Sequence, residues 1–423
     1  MSKLNNHITV FEHEAIYFDR GEKKISKDQF IALEKYFGDG TPYFSLRHHG
    51  IQFCEYVGVI QIGKTVIEVL PKADKNESDA TKWRNILIGM LQAVGSFDIK
   101  DTSNSNLKIK PNTILDLYFK MFIDEIEYLL HNGLIKQYRK KEGNVTTLKG
   151  SLHFGKHIQQ NLIHQERFYV RHTTYDVMHQ LHFILYKTLR LLKQINSNAD
   201  LQSRIGALMI HFPEMPEIKV TVTTFEKLVF TRKNTSYKKA IDIAKLLLLQ
   251  YHPDVSKGRN NVLALMFDMN KLWEQFVYIS LRKHKEIGTS ITAQTTKLFW
   301  EPETGYHSKI RPDIVINKDK PNCVVLDTKW KNLNGYNPSP DDLRQMYVYH
   351  EYYGASKVAL VYPGASTYKL GGVYLHPQSE SKLKKECSII TLCVEPNIKN
   401  WQKIIYDEFA NLFNLTNGSV MLD

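Results

Sequence analysis

Apolar and polar residues follow one another with two different periods along this chain of 423 residues. In residues 1–112 most apolar runs are short and alternate with polar residues, which is the pattern of strands, and one amphipathic run predicts a helix at 83–94. A polar stretch at 101–112 predicts a linker. The sequence therefore predicts a β-rich N-terminal domain. Its strands are expected at 8–11 and 43–46 and in a hairpin over 51–70.

Helical periodicity dominates residues 113–254, which are predicted to form a mainly helical middle region. Its first two helices are separated by an extended segment at 134–148 that is rich in lysine and arginine. Gly143 and Asn144 are typical turn residues, so this segment is predicted to be a basic hairpin. The helices are expected at 114–132, 177–195, 201–211 and 237–251.

Residues 255–423 combine both periods and predict a C-terminal α/β domain. Two short β-branched runs at 309–316 and 323–330 are separated by polar turn formers at 317–322, which predicts a β-hairpin. The whole chain is thus predicted to be a multidomain protein of the α+β and α/β classes. The elements around the hairpin are expected at 268–281 (a helix), 341–353 (a helix) and 357–362 (a strand).

The two strands of this hairpin carry charge where buried strands normally have none. If the loop is symmetric about Lys320, residues equally distant from it face one another, and Asp313 lies opposite Asp327. Because side chains alternate between the two faces of a strand, Asp327 and Lys329 point the same way. The pattern therefore gathers two carboxylates and one ammonium group on one surface.

Carboxylates this close repel one another unless a cation lies between them, and their hard oxygens suit Mg²⁺ or Mn²⁺. Such an ion activates water and neutralises charge on a phosphodiester, so the pattern indicates a metal-dependent nuclease, with Lys329 near the attacking water. Glu274, an acid on the apolar face of the preceding helix, is a further candidate ligand. Taken singly, these residues also fit a turn aspartate, an exposed ion pair of Asp327 with Lys329, and a solvated Glu274 beside Lys271.

The residues at 312–313 and 327–329, Pro-Asp followed by Asp-Thr-Lys, resemble the motif of the PD-(D/E)xK nuclease superfamily. Gln345 and Tyr349, one helical turn apart, are similar to the Gln-x-x-x-Tyr element of its RecB-like branch. The resemblance implies a restriction-endonuclease-like core. It also implies that the carbonyl of Thr328 assists in metal binding and that Gln345 and Tyr349 position DNA or the core.

A broader resemblance covers most of residues 50–365 and is carried by the segments 66–73, 83–91, 148–158, 167–176, 182–185 and 268–274. In their order along the chain these segments resemble the McrC family, the nuclease subunit of McrBC-type modification-dependent restriction systems. McrC-like proteins bind one end of a hexameric AAA+ GTPase ring, stimulate GTP hydrolysis and cut double-stranded DNA. The N-terminal and middle regions are then expected to dock on the ring, and 134–148 is a candidate for insertion into its pore.

Residues 58–65 match the phosphate-binding motif G-x-x-x-x-G-K-[ST], but the residues between and after the glycines read as strands. That motif works only in a loop that opens a helix, so this chain itself is predicted to bind no nucleotide. The partner ring would supply the GTPase.

Composition agrees with a cytoplasmic nucleic-acid enzyme. The net charge is +12, which favours contact with DNA, although a lysine-rich surface has the same charge. The four cysteines lack metal-ligand spacing and are expected to be reduced. No apolar stretch approaches the roughly 20 residues that span a bilayer, so no membrane role is expected. Two other functions stay open: a catalytically silent adaptor that activates the ring, and a stand-alone nuclease acting on single strands or RNA.

Overall fold

The computed structural model describes residues 7–38, 40–73, 79–94, 113–252, 261–331, 333, 337–379 and 381–413. The predicted linker 101–112 lies outside these residues. By contacts the chain forms two compact units. The first comprises the described residues of Met1–Ile60, Thr65–Thr102 and Met266–Asp423, and the second those of Gln61–Lys64 and Ser103–Leu265. The three domains 1–112, 113–254 and 255–423 stay a prediction, but the N-terminal and C-terminal regions share one unit.

The strands that the structure describes are β1 (His7–Phe11), β2 (Ala15–Tyr17), β3 (Phe44–Arg47), β4 (Gly50–Phe53), β5 (Tyr56–Ile62), β6 (Thr65–Leu70), β7 (Gln137–Val145), β8 (Ser151–Leu152), β9 (Phe168–Asp176), β10 (Tyr251–His252), β11 (Val262–Asp268), β12 (Ile291–Ala293), β13 (Lys297–Trp300), β14 (Ser308–Ile310), β15 (Ile314–Ile316), β16 (Val324–Thr328), β17 (Lys357–Gly364), β18 (Tyr368–Leu375) and β19 (Lys382–Cys393).

The helices are α1 (Lys27–Gly38), α2 (Ala80–Ala93), α3 (Ile114–His131), α4 (Phe154–Asn161), α5 (Gln180–Ile195), α6 (Ala199–His211), α7 (Val222–Glu226), α8 (Lys238–Leu249), α9 (Met269–His284), α10 (Pro340–Tyr353) and α11 (Ile398–Phe413), with a short 3₁₀ turn at Thr235–Tyr237.

The first unit contains a six-stranded sheet in the order β12-β15-β16-β17-β19-β18. Its centre is parallel, since β16 pairs with β17 and β17 with β19. The outer pairs are antiparallel. Parallel neighbours need a long connection, and α10 lies in the connection between β16 and β17. Every residue of β16 is buried, as expected for a central strand of such a sheet.

Helix α10 packs on this sheet. Its start is set by Ser339, whose side chain accepts a hydrogen bond from the backbone of the first turn, and by Pro340 at the first helical position. Gly354, in the left-handed conformation with φ 56°, ends the helix. Met346 and Tyr349 of the buried face pack in one cluster with residues of β15, β16 and β17. The helix is therefore fixed in register against the strands that carry the predicted acids.

Helix α2 of the N-terminal region packs on two helices of the C-terminal region, α9 and α11, in the same unit. These two helices contact each other through Trp273 and Phe276 of α9, whose ring centroids lie 5.5 and 4.8 Å from that of Trp401 in α11. Gly89 of α2 lies so close to α11 that a side-chain carbon at this position would collide with Ile398. A residue larger than glycine would therefore separate α2 from the helices of the C-terminal region.

The match at 58–65 to a phosphate-binding motif forms a β-hairpin, as predicted. Strands β5 and β6 are neighbours in one sheet. Gly63, with φ 57°, lies in the turn between Ile62 and Thr65. The left-handed conformation explains the glycine without a bound phosphate. That this chain binds no nucleotide stays a prediction.

In the second unit the prediction of a basic hairpin at 134–148 is wrong. The segment forms one strand, β7, which pairs with β9 in an unbroken antiparallel register from Gln137 opposite Asp176 to Val145 opposite Phe168. Gly143 lies inside that register and makes no turn. The prediction failed because local turn residues cannot reveal a partner strand that lies beyond the next helix, α4.

The main predicted helices and strands are present with small shifts at their ends. For example, the helix predicted at 177–195 begins at Gln180, because the side chain of His179 caps its first turn. The sequence analysis missed α1, the hairpin β13–β14, the strands β18 and β19, and α11. Of these, α1, β19 and α11 contain buried residues, so their apolar pattern was available but was not used.

The cysteines agree with the predicted reduced state, since all four are free thiols. Cys323 and Cys387 are buried, and Cys54 and Cys393 are partly buried. In the described part of the chain, no helix combines the length and apolar character needed to cross a bilayer.

Candidate active site

The predicted hairpin around Lys320 is present with the predicted register, but its first strand, expected over 309–316, is divided between β14, which pairs with β13, and β15. In β15 and β16, Ile314 lies opposite Leu326 and Ile316 opposite Val324. Asp313, one residue before β15, therefore comes to the position facing Asp327 in β16. The loop between the strands turns through residues with positive φ, a conformation that asparagine and aspartate tolerate better than most residues. Symmetry about one loop residue was thus sufficient to pair the two aspartates.

Asp313 is oriented by the neighbouring strand. Its Oδ2 accepts hydrogen bonds from the backbone N of Thr328 at 2.7 Å and from Oγ1 of Thr328 at 2.8 Å. Thr328, predicted to offer its carbonyl to a metal, thus uses its amide and hydroxyl to hold an acid. Because Thr328 follows Asp327, these bonds keep the two aspartates close to one another.

Asp327 and Lys329 form a buried ion pair. Asp327 is only 1% exposed, and its Oδ2 lies 2.6 Å from Nζ of Lys329. Burial, and then the charge of Asp313, raise the pKa of Asp327 to about 6. Burial lowers the pKa of Lys329, but the charges of Asp327 and Asp313 outweigh burial and raise it overall. The interpretation as an exposed surface ion pair is therefore wrong, and Lys329 stays cationic beside the acids.

Glu274 approaches the same site from α9. Burial and the charge of Asp313 raise its pKa to about 7. Nε2 of Gln294 donates a hydrogen bond to Oε1 of Glu274, and the backbone N of Gln294 donates to the carbonyl of Asp313 at 2.9 Å. Lys271, the alternative partner of Glu274, pairs instead with Asp268 at 3.6 Å. Glu274 thus belongs to the acid cluster and is not a solvated surface residue.

Gln294 is a site residue that the sequence analysis missed. It follows β12 and adopts a left-handed backbone with φ 55°. This conformation is uncommon for residues other than glycine and often occurs at functional sites. It directs the side chain of Gln294 to Glu274, while the backbone N–H of Gln294 donates to the carbonyl of Asp313. A lone glutamine after a three-residue strand has no sequence signal that could have predicted this role.

Gln345 and Tyr349 contact each other and the strand segment before Asp313. Nε2 of Gln345 donates to the hydroxyl of Tyr349 at 2.7 Å, and this hydroxyl donates to the carbonyl of Arg311 at 3.2 Å. Burial, assisted by the charge of Asp327, raises the pKa of Tyr349 and keeps the hydroxyl protonated. Of the two predicted roles, these contacts correspond to positioning the core. A role in holding DNA stays a prediction.

The chain after Lys329 is anchored at Trp330. Its backbone N donates to Oδ1 of Asn270 at 3.0 Å, and its Nε1 donates to Oε1 of Glu12 at 2.9 Å. The ring of Trp273 lies edge-to-face against Trp330 at 5.6 Å. Asn270 and Trp273 lie in segment 268–274, which is one of those that resemble the family. Their contacts with Trp330 explain why an amide and an aromatic ring occupy these positions. The role of Glu12, which is distant in sequence, was not predicted.

The donor groups suit a hard divalent cation, but they do not form a complete ligand set. The charge of Asp313 contributes to the raised pKa of Asp327 and of Glu274, and a divalent ion would neutralise this excess of negative charge. Among the residues that the structure describes, no three histidine, cysteine, aspartate or glutamate side chains are arranged to hold a metal ion. The structure thus brings Asp313, Asp327, Glu274 and Lys329 together, and their roles as ligands and catalytic groups stay predictions.

Together these features define a mixed α/β protein with a buried acid and lysine site at the carboxyl end of β16. The chain belongs to the McrBC family: residues 51–363 match the family model for the McrBC 5-methylcytosine restriction system component. The family part of the sequence prediction is confirmed. No curated protein matches the chain.

Two solved structures share the fold. The first is the refined half-complex from the tetradecameric assembly of Thermococcus gammatolerans McrB AAA+ hexamers with bound McrC, with a TM-score of 0.73, 20% identity, and coverage of 96% of this chain and 100% of that chain. The second is the cryo-EM structure of the Thermococcus gammatolerans McrBC complex, with a TM-score of 0.50, 21% identity, and coverage of 66% of this chain and 87% of that chain. At these identities the likeness concerns the fold.

Proposed function

We propose that this chain is the nuclease subunit of a GTP-dependent, modification-dependent restriction complex, and that it hydrolyses phosphodiester bonds of double-stranded DNA with Mg²⁺ or Mn²⁺. One observation carries the proposal: Asp313, Asp327, Glu274 and Lys329 meet at the end of a hairpin whose register follows from the symmetry of its loop. Structural ion pairs seldom bury several acids close to one another, because the repulsion is costly.

In this proposal Asp313, Asp327 and Glu274, with the carbonyl of Thr328, would hold the divalent ion. When bound, the ion supplies charge neutralisation at the phosphate and lowers the pKa of a water molecule. Lys329 is kept cationic by Asp327, so its ammonium group can orient the attacking water or stabilise negative charge on the phosphorus oxygens. The anchored Trp330 limits the freedom of Lys329, and Gln294 keeps Glu274 turned toward Asp313.

We also propose that the chain binds and stimulates an AAA+ GTPase hexamer of McrB type. The family match and the two complexes that share the fold support this partner. The hairpin at 58–65 supports a division of labour in which the partner binds GTP, because this segment lacks the loop and helix that hold phosphate.

The test is DNA cleavage by Asp313→Asn and Lys329→Ala in the presence of the partner GTPase, GTP and Mg²⁺. We expect cleavage to fall by at least about a hundredfold, the cost of removing one group that stabilises the transition state. Stimulation of GTP hydrolysis should survive. Asp341→Asn is the matched control, because Asp341 is an acid at the exposed start of α10. Normal cutting by both site variants would show that this active site is wrong.

The same assay separates the two other functions. A silent adaptor would stimulate GTP hydrolysis while the wild-type chain cuts no DNA. A stand-alone nuclease would cut single strands or RNA with metal alone, without GTP or partner.

A further inference from the structure

The hairpin β13–β14 presents large apolar side chains to solvent. Its two strands pair with each other in a sheet of their own. Leu298, Phe299 and Trp300 are 61%, 46% and 59% exposed. Exposed apolar groups that lie together indicate a binding surface, since a folded chain otherwise tends to bury them.

Phe299 lines an open cleft with a volume of about 580 Å³. This volume is within the range of about 300–1,000 Å³ that is usual for small-ligand sites. Lys309, Arg311, Gln345 and Tyr349 contribute to the same cleft. The cleft therefore combines an aromatic ring, two cations and a side-chain amide, which together can bind the base and the phosphate of a nucleotide.

Phe299 lies at a β-bulge in strand β13. The register shifts between Leu298, opposite Lys309, and Trp300, opposite Ser308, so Phe299 has no residue facing it across the hairpin. Bulges redirect side chains and are frequent beside active sites. The ring of Phe299 lies 5.3 Å from that of Tyr352. Tyr352 thus supports one side of the ring, and the rest of the ring stays accessible.

The cleft adjoins the acid site. Arg311 precedes Asp313 by two residues, which limits the distance between their backbones to about 7 Å. The hydroxyl of Tyr349, which also lines the cleft, donates a hydrogen bond to the carbonyl of Arg311 at 3.2 Å. A nucleotide in the cleft would therefore lie within one or two nucleotides of a phosphate at the acids.

We propose that this cleft binds an unpaired nucleotide of the DNA strand that is being cut, with the base against Phe299 and the phosphate at Lys309 and Arg311. The inference rests on the proposed function, because it takes DNA as the substrate. A base inside a duplex has both faces covered, so the strand must open locally before the base can enter. Stacking on an aromatic ring tolerates any base, so the cleft would not require a particular sequence at the cut.

The test measures binding of the full chain to a short fluorescein-labelled single-stranded oligonucleotide and to the fully paired duplex, with Ca²⁺ replacing Mg²⁺. Phe299→Ala should weaken single-strand binding about tenfold, the contribution of one stacked base, and should change duplex binding less. Phe299→Trp should retain the affinity. Trp300→Ala is the matched control, because Trp300 is exposed in the same hairpin but does not line the cleft.

The cations give a second measurement. Arg311→Gln should reduce the slope of log affinity against log salt by about one, as expected for the loss of one phosphate contact. Arg344→Gln, an exposed arginine of α10 outside the cleft, should leave the slope unchanged.

Three results would overturn the proposal. The first is an equal loss of single-strand affinity in Phe299→Ala and Trp300→Ala, and the second is an equal effect of Phe299→Ala on duplex and single-strand binding. The third is that Phe299→Ala stimulates GTP hydrolysis less than the wild type while its DNA binding is unchanged. The last result would assign the hairpin to a protein contact. Failure of the proposed function is seen separately, as normal cleavage by Asp313→Asn and Lys329→Ala, because the binding measurements involve no cleavage.

Discussion

Acidic residues on the β7–β9 sheet of the second unit and in the acid site of the first unit have opposite surroundings. In the second unit, on the sheet that contains β7 and β9, each acid faces basic partners at the surface. Glu142 pairs with Arg171 at 2.5 Å, and Asp176 pairs with Arg139 at 2.9 Å. Hydrogen bonding to Arg139 holds the pKa of Asp176 well below its usual value. Such pairs are ordinary surface chemistry, and each contributes little to stability.

In the acid site of the first unit, Asp313, Asp327 and Glu274 lie beside Lys329. Burial is the largest cause that raises the pKa of Asp327 to about 6 and that of Glu274 to about 7, and the charge of Asp313 is the second. The pKa values of the same residue types thus shift in opposite directions in these two regions. The difference teaches that net charge alone does not locate a functional site, whereas buried acids that repel one another mark a candidate for one.

The largest expected effect comes from adding a divalent cation. Mg²⁺ or Ca²⁺ at about a hundred times its dissociation constant should stabilise the folded chain by about 2.7 kcal/mol at pH 8. At pH 5 the effect should be smaller, because Glu274 and Asp327, with pKa about 7 and about 6, then hold protons that the ion must displace. Thermal unfolding with and without the ion measures both values.

Asp313→Asn should reduce this stabilisation, and Asp176→Asn, on the surface sheet, should not. An equal effect of the ion at both pH values, or in both variants, would break the comparison between the two regions.

A smaller effect is expected for Glu274→Gln without metal. The folded pKa of Glu274 lies above its ordinary value, so the folded state holds the proton more tightly, and stability falls as pH rises from about 4.5 to about 7. The amide removes this loss while its oxygen can still accept from Gln294. The free energy of unfolding at pH 8 should therefore increase, on the order of 1 to 2 kcal/mol.

Urea unfolding at pH 5 and pH 8 checks this expectation, with Glu301→Gln as the control, since Glu301 is an exposed acid of the same unit. If Glu274→Gln lowers the free energy of unfolding at pH 8, or changes it equally at both pH values, the charge of Glu274 is not destabilised by burial and repulsion.

The smallest effect is expected for Asp176→Asn. Its folded pKa is lowered, so its stabilising contribution is present above the unfolded pKa of about 3.9 and is lost as pH falls below that value. Between pH 8 and pH 5 the melting temperature of this variant should therefore differ from that of the wild type by a small and constant amount. Thermal unfolding at both pH values measures it, and a difference that changes over this interval would show that the surface acid resembles the buried ones.

Part of the site could be predicted because it is local. The loop between β15 and β16 is short, so its symmetry determines which residues of the two strands face one another, and alternation determines their faces. The helical period likewise placed Gln345 and Tyr349 one turn apart. These relations depend on neighbours in sequence, and the hydrogen bond between Gln345 and Tyr349 agrees with them.

The remainder depends on contacts between distant segments. Gln294 reaches Glu274 across the gap between a strand and a helix, and Glu12 reaches Trp330 from the other end of the chain. The partner of β7 shows the same limit, because β9 is separated from it by β8 and α4. The turn residues at 143–144 suggested a local hairpin, but β7 pairs with β9, and ion pairs between the two strands support that pairing.

By itself, the sequence determined the family, many of the helices and strands, and the pairing of Asp313 with Asp327, because motif order, periodicity and short loops are set by neighbouring residues. Only the tertiary structure decided that Asp327 is buried, that Glu274 joins the acids, and that Phe299 faces a cleft beside them. The physical reason is that burial and electrostatic repulsion arise when separate elements exclude water from one volume, and no single segment contains that information.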